Sequence, residues 1–199
     1  MAVKIYVPVI VGLCLLSVAG WASAGQVRPS VSKLFGQLQS EATTNQALGE
    51  ILQIDPSNVA ACKYLSAHLP ALIRQLPQEN PQVWLNAIKV AGAFRIKEAI
   101  PSLVQWIGVP ASDLGGASLS ERAGLETFAA GKALAQIGEP AVPSLVGVLQ
   151  KGTTHERTVA VRALVKIHSP EAITALRDHL SREQDQSLKL DIQRAVDSN

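Results

Sequence analysis

Cysteine and aromatic residues are scarce in this chain, and neither sign of charge dominates it. The 199 residues include 2 cysteines and 4% aromatic residues, and 18 Lys and Arg stand against 16 Asp and Glu. With so few cysteines, packing rather than a disulfide framework must stabilise the fold. Binding to phosphates requires clustered Lys and Arg, and this balance gives no indication of such clusters. We therefore expect no nucleic-acid partner.

The sequence also lacks short motifs that carry well-known chemistry, among them H-E-x-x-H, C-x-x-C, G-x-S-x-G and G-x-x-x-x-G-K-[ST]. Carboxylates such as Glu183 and Asp185 lie in a charged segment between predicted helices, where we expect a solvated surface. The four histidines are scattered along the chain, at His68, His155, His168 and His179. We therefore predict no catalytic residue, no metal and no cofactor, and we expect that the protein is not an enzyme.

The N-terminus has the three-part layout of a secretory signal peptide. Lys4 precedes an uncharged apolar run from Ile5 to Ala19, and the small-x-small triplet Ala22-Ser23-Ala24 follows. We predict that residues 1–24 are cleaved and that the protein is exported to the periplasm or the extracellular space. The alternative is a membrane anchor formed by residues 5–24, because about 20 apolar residues can span a bilayer.

Three stretches share one pattern of apolar residues. They read "AIKVAGAFRIKEAIPSLVQWI" (87–107), "AGKALAQIGEPAVPSLVGVL" (130–149) and "AVRALVKIHSPEAITALRDHL" (160–180). The first half of each follows A-x-x-[VA]-[AL]-x-x-[FI], and the second half has apolar residues at offsets of three and four. Both halves therefore have the spacing of one apolar helix face. We interpret each unit as two antiparallel helices joined by a short turn.

The spacing of these units predicts how they assemble. Ala130 and Ala160 are 30 residues apart, whereas Ala87 and Ala130 are 43 residues apart. The polar, glycine-rich segment 109–120 accounts for the difference if it is an inserted loop. Helix pairs that recur every 30 to 45 residues or so are typical of an α-solenoid, in which neighbouring pairs share one elongated core. The sequence therefore predicts an all-α fold, a superhelix of about four repeats.

Proline and glycine mark the predicted corners of this stack. Pro140 and Pro143 are expected in the first turn of a second helix, where the missing N–H has no intrahelical acceptor to lose. Pro101 occupies the position that matches Pro143. Gly138 is expected to end the preceding helix with a left-handed backbone, and Asn80 is expected to cap the helix that follows it.

The stretch "ALAQIGEPAVPSLVGVL" (133–149) resembles the short HEAT-like repeat of bacterial proteins, which also occurs in phycobilisome lyases. With the other two stretches, the resemblance covers roughly half of the chain after the leader. It implies a curved stack of helical hairpins that serves in protein–protein interaction or assembly. It does not imply a reaction, because one fold can have many functions.

This interpretation divides the chain into three parts. The leader is followed by an N-terminal segment with a short helix, 25–44, and by a HEAT-like repeat domain, 45–199. Within that domain we expect four hairpins, at about 45–76, 82–108, 119–151 and 155–182. We also expect an inserted loop at 109–120 and a capping helix at 187–196.

The candidate binding residues come from the second helix of each repeat, which in the HEAT-like family usually lines the concave side. They are Ser102, Gln105, Trp106, Ser144, Lys151, Asp178 and Arg182. Half-exposed tryptophans are enriched at interfaces, which singles out Trp106. Two alternatives stay open: these positions are merely solvent-exposed, or segment 109–120 covers Trp106.

Three functional hypotheses follow. The first is an exported, non-enzymatic protein that binds another protein or a peptide through its concave face. The second, implied by the resemblance, is an enzyme or lyase-like subunit of the phycobilisome-lyase group. The third is a membrane-tethered scaffold, which requires that the leader is retained; only then would a membrane be involved.

Overall fold

The computed structural model describes residues 30–75, 80–110 and 128–197, and all regular elements in these three segments are helices. This confirms the predicted all-α fold. Short 3₁₀ turns at Lys97–Ala99 and Glu139–Ala141 precede the α-helices that begin at Ile100 and Val142. In chain order the described α-helices are α1 (Val31–Leu38), α2 (Thr44–Ile51), α3 (Val59–Arg74), α4 (Pro81–Ala93), α5 (Ile100–Gln105), α6 (Ala129–Ile137), α7 (Val142–Lys151), α8 (Thr154–Ile167), α9 (Pro170–Leu180) and α10 (Gln186–Asp197).

The helices stack in two layers, as expected for an α-solenoid. The first-helix layer contains α4, α6 and α8, which pack side by side in that order. The second-helix layer contains α5, α7 and α9, which also pack in order. Each second helix contacts the first helix of the next repeat, α5 against α6 and α7 against α8. The structure therefore confirms the predicted solenoid of helix pairs.

Small residues allow the helices of the first layer to approach closely. Ala87, Ala130 and Ala160, which open the shared pattern in the three stretches, have no exposed surface. A Cβ atom added to Gly92 in α4 would lie 3.0 Å from the Cα atom of Ala133 in α6. Because helices with larger side chains pack at greater distances, any side chain at position 92 would push α4 and α6 apart.

The corners between first and second helices share one backbone feature. The residue eight positions after the opening alanine has a positive φ in all three stretches: 51° at Arg95, 87° at Gly138 and 54° at His168. Gly138 combines this with a ψ of −142°, in a region that is close to glycine-only. The positive φ at Gly138 confirms the prediction from sequence. The common position also shows that the three stretches are aligned in the correct register.

The prolines lie where they cost the helices little. Pro101 and Pro143 are each the second residue of their helices, α5 and α7. Pro140 lies in the 3₁₀ turn before α7 rather than in the helix itself. Asn80 is the N-cap residue of α4, which begins at Pro81, but its side chain accepts no hydrogen bond from the first turn. The expected side-chain cap at Asn80 is therefore not formed.

The N-terminal helices join the stack through a buried polar contact. α2 packs against α1 and α4, and α3 packs against α4 and α5. Asn86 in α4 donates its Nδ2–H groups to Thr44 Oγ1 (3.2 Å) and Asn45 Oδ1 (2.9 Å) in α2. Gln82 Nε2 in turn donates to Asn86 Oδ1 at 3.0 Å. Asn86 and Thr44 are fully buried, so these bonds satisfy polar groups that water cannot reach.

At the other end, α10 packs against α8 and α9. Its buried residues are Leu188, Ile192 and Ala195, so the helix covers the apolar end of the stack. Within the described segments, no helix is both long enough and apolar enough to cross a membrane. The leader and most of the inserted loop lie outside the described residues, and their roles stay predictions.

Candidate protein-binding surface

The solvent-facing side of the second-helix layer contains two neighbouring grooves, and we call this side the second-helix face. The α5/α7 groove has a volume of ≈ 510 Å³ and is lined by Pro101, Val104, Ser144, Gly147 and Lys151, among others. The α7/α9 groove has a volume of ≈ 550 Å³, and its lining includes Val146, Leu149, Ala175, Asp178 and Arg182. Both grooves combine apolar walls with charged residues at the rim.

Four of the seven predicted binding residues line these grooves. Ser144 and Lys151 belong to the α5/α7 groove, and Asp178 and Arg182 belong to the α7/α9 groove. Gln105 is exposed at the end of α5, outside both linings. The structure therefore brings these four residues to one side of the stack, and the predicted concavity of that side stays a prediction.

Ser102 does not lie on this face, and the prediction that it is exposed is wrong. Its residue surface is 3% exposed, and its hydroxyl donates to the carbonyl oxygen of Pro70 at 3.0 Å. The physical reason is that α3, which contains Pro70, packs directly against α5 and covers this side of it. The repeat pattern alone contains no information about this neighbour.

Trp106 is half-buried just after the end of α5. Its ring meets the ring of Trp84 edge-on, with centroids 6.2 Å apart and planes at 88°. Trp84 is buried and donates its indole N–H to the carbonyl oxygen of Ile73 in α3, at 3.1 Å. The indole nitrogen of Trp106 is buried too, and it has no hydrogen-bond partner in the described part of the chain. Trp106 therefore anchors α5 to α4 and does not present its indole N–H to solvent.

Two exposed carboxylates meet at one end of the α7/α9 groove. Glu171 lies in the first turn of α9 and lines the groove, and Glu139 lies in the 3₁₀ turn before α7. A hydrogen bond to Glu171 and repulsion from its charge raise the pKa of Glu139. The pKa of Glu171 is lowered because its own backbone N–H, and then Glu139, hydrogen-bond to it. This end of the groove is therefore acidic.

Glu183 is, after Ser102, a second polar residue whose burial the repeat pattern does not predict. It was expected in a solvated turn, yet it is 2% exposed. Arg157 binds both of its carboxylate oxygens, with Nε–Oε2 and Nη2–Oε1 distances of 3.0 Å. His179 Nε2 lies 2.9 Å from Oε2, and the backbone N–H groups of Gln184 and Asp185 donate to Oε1. The carboxylate is thus surrounded by hydrogen-bond partners.

This environment has a clear electrostatic effect. The Arg157 guanidinium holds the pKa of the Glu183 carboxyl well below its usual range, against the effect of burial. The pKa of Arg157 is raised, chiefly by its hydrogen bond to Glu183. The one signal in the sequence for the contact between His179 and Glu183 is their spacing of four residues, because residues with this spacing are neighbours on a helix. With its oxygens occupied by protein donors, Glu183 is placed for a structural role.

Potential metal ligands are not gathered anywhere in the described segments: no three His, Cys, Asp or Glu residues there could hold an ion together. The grooves offer apolar walls, a pair of carboxylates and separate cationic side chains. Such a surface can hold another molecule through packing and charge.

Residues 127–197 match the family model of HEAT repeats. No curated protein and no solved structure matches the chain. The matched part begins one residue before Phe128 and contains α6 to α10, and therefore the whole α7/α9 groove. HEAT repeats generally mediate protein–protein interaction or scaffolding and are generally not catalytic. Residues 127–197 are therefore similar in sequence to HEAT repeats, and their helix pairs stack side by side as in an α-solenoid.

Proposed function

We propose that the protein is an exported, non-enzymatic module that binds another protein or a peptide through the second-helix face. The observation that carries this proposal is the pair of grooves along α7, where apolar walls are open to solvent. Apolar surface within a polar rim is typical of sites that bind proteins. The family match supports the same kind of role, because HEAT repeats typically bind other proteins.

The α5/α7 groove is suited to close contact with a partner because part of its lining consists of small residues. Ser144, Gly147 and Gly152 all contribute to its lining. A Cβ atom added to Gly147 would meet nothing within 4 Å, so the space above this glycine is empty. A partner can therefore approach the backbone of α7 at this point, and a large side chain there would fill the groove.

Charged residues at the rims supply specificity. Lys151 lies at the α5/α7 groove, and Asp178 and Arg182 lie at the α7/α9 groove. All three side chains are exposed, so their interactions with a partner are screened by salt and contribute more to selection and association rate than to affinity.

Export rests on the leader, which lies outside the described residues. The basic residue, apolar run and small-residue triplet of the first 24 positions support a cleaved signal peptide. N-terminal sequencing of the protein recovered from its native host distinguishes the two forms. A new N-terminus at Gly25 supports export as a cleaved protein, and an intact leader supports the membrane-tethered scaffold instead.

A matched pair of glycine substitutions tests the binding face. Gly147 and Gly49 both lie inside α-helices, and neither has any atom within 4 Å of an added Cβ. Gly147→Trp fills the α5/α7 groove, whereas Gly49→Trp places the same side chain on α2. The wild-type chain and both variants are used to capture partners from the native envelope fraction.

We expect the wild type and Gly49→Trp to recover the same partner in equal amounts, and Gly147→Trp to recover about a tenth as much or less. Thermal unfolding followed by circular dichroism checks that both variants are folded. Equal recovery by all three proteins, or no partner with any of them, contradicts the proposal.

A further inference from the structure

The α7/α9 groove combines an open apolar wall with enough space for part of a partner. Val146 and Ala175 are partly exposed on its sides, and Leu149 is buried beneath them. Its volume of ≈ 550 Å³ lies within the range of about 300–1,000 Å³ found for pockets that bind ligands. The wall therefore has room for an apolar side chain of a bound segment.

The acidic end of this groove is formed by Glu171, which lines it, and by Glu139 beside Glu171. Glu139 and Glu171 are exposed, and their mutual interaction raises the pKa of Glu139. Across the part of the chain that the structure describes, neither carboxylate forms an ion pair with Lys, Arg or His. Two carboxylates in contact disfavour each other's ionised form. A cation placed between them would remove this repulsion.

The rest of the rim gives the groove a direction. Asp178 lies seven residues after Glu171 on α9, about 10 Å further along the helix axis, and also lines the groove. Arg182 lies beyond it, just after the end of α9. The rim therefore changes from acidic at Glu139 and Glu171 to cationic at Arg182. A segment with its positive charge at the Glu171 end meets complementary charges along its length.

On the basis of the binding role proposed above, we propose that the α7/α9 groove binds a protein segment in which an apolar side chain adjoins a Lys or Arg. The apolar side chain packs between Val146 and Ala175. The basic side chain lies between the Glu139 and Glu171 carboxylates. An acidic segment would add to the repulsion at this end, so the charges favour the basic one.

A library of random 12-residue peptides displayed on phage provides a defined probe. The library is selected on the purified full chain, and the enriched peptides are synthesised. Their Kd values are measured by fluorescence anisotropy for the wild type and for variants. The test variant is Glu139→Gln/Glu171→Gln. Its control, Glu41→Gln/Glu50→Gln, makes the same change in net charge at the N-terminal helices, away from the groove.

Two further variants examine the groove walls. Ala175→Trp fills the α7/α9 groove, and Gly147→Trp fills the α5/α7 groove. We expect the enriched peptides to contain a Lys or Arg close to a large apolar residue. We expect their Kd to rise about tenfold with Glu139→Gln/Glu171→Gln and at least tenfold with Ala175→Trp, and to stay within twofold for the control. Unfolding curves of all variants check that a loss of affinity comes from the removed ionic contact or the filled groove and not from a loss of folding.

The outcomes separate this proposal from the broader one. Enrichment of acidic or purely apolar peptides, or a Kd unchanged by Glu139→Gln/Glu171→Gln, overturns the basic occupant. If those peptides lose affinity with Gly147→Trp, the binding role of the second-helix face stands while this proposal fails. If peptides bind and no groove variant affects them, both proposals fail. A library from which no peptide is enriched also overturns the basic occupant, and the capture experiment then decides the broader role by itself.

Discussion

Arg157 and Glu183 form a bidentate ion pair that connects the first turn of α8 to the segment between α9 and α10. The Nε–Oε2 and Nη2–Oε1 distances are both 3.0 Å. The Glu183 side chain is 1% exposed and that of Arg157 is 21% exposed. Because the carboxylate is shielded from water, this pair differs from a surface ion pair, whose contribution to stability is small.

Replacing Glu183 with Gln is expected to destabilise the protein. The substitution keeps the shape of the side chain but leaves the Arg157 guanidinium without its anionic partner. Removing one member of a buried pair typically costs about 3 kcal/mol or more, so we expect a loss of about 3 kcal/mol in the free energy of unfolding. Urea titration followed by circular dichroism measures the loss, and Glu41→Gln is the control. A loss below about 1 kcal/mol would contradict the structural role of this pair.

The same carboxylate makes stability depend on pH. Because the folded state holds the pKa of Glu183 below the unfolded value of 4.5, the stabilisation is present above pH 4.5 and is lost as the pH falls below it. We therefore expect the stability difference between wild type and Glu183→Gln to be constant near neutral pH and to shrink under acidic conditions. Unfolding curves collected from pH 7 to pH 3 or so measure this difference. A difference that grows on acidification would refute the sign of the effect.

Two glycines in adjacent elements are expected to respond to alanine in opposite ways. Gly138 has a φ of 87°, so Gly138→Ala forces a side chain into an unfavourable backbone region, at a cost of about 1–2 kcal/mol. Gly147 lies in the interior of α7 with open space around it, so Gly147→Ala should stabilise the protein by up to about 1 kcal/mol. Thermal denaturation of both variants gives the comparison. Shifts of the same sign would be inconsistent with the corner geometry.

The close approach of α4 and α6 at Gly92 can be tested with valine. A Cβ at this position would lie 3.0 Å from the Cα atom of Ala133, and the backbone of α6 cannot move away without disturbing its other contacts. Overpacking of this kind costs about 1–3 kcal/mol, so Gly92→Val should lower the melting temperature by several degrees. Gly36→Val, whose added Cβ meets nothing within 4 Å, is the control. Equal melting temperatures for the two variants would argue against tight packing in the first-helix layer.

Most of the fold could be predicted from the sequence because helical spacing reports directly on burial. The alanines and branched residues of the shared pattern are largely buried, as are Leu103, Leu145 and Leu176 in the second helices. The corner at Gly138 could be predicted as well, because glycine is favoured where φ is positive. In each case the signal, a helical spacing or a glycine at a corner, lies within the sequence of one repeat.

The candidate surface could be predicted only in part, because exposure depends on neighbours that are distant in the sequence. Ser102 has the spacing of an outward position, but α3 covers it and accepts its hydrogen bond at Pro70. Glu183 has the character of a surface residue, but it is buried and its carboxylate is bound by Arg157 of α8 and lies beside His179 of α9. Neither the contact of Ser102 with Pro70 nor that of Glu183 with Arg157 leaves a periodic signal, so neither could be predicted from the repeat pattern.

The buried amide of Asn86 has a consequence for how the chain selects one assembly among several similar ones. Apolar contacts are not directional, so by themselves they do not fix the position of α2 along α4. A slip of α2 along α4 would separate Asn86 from Thr44 and Asn45 and leave dehydrated polar groups unpaired, at about 1–3 kcal/mol each. The Asn86 amide therefore fixes the axial alignment of α2 on α4.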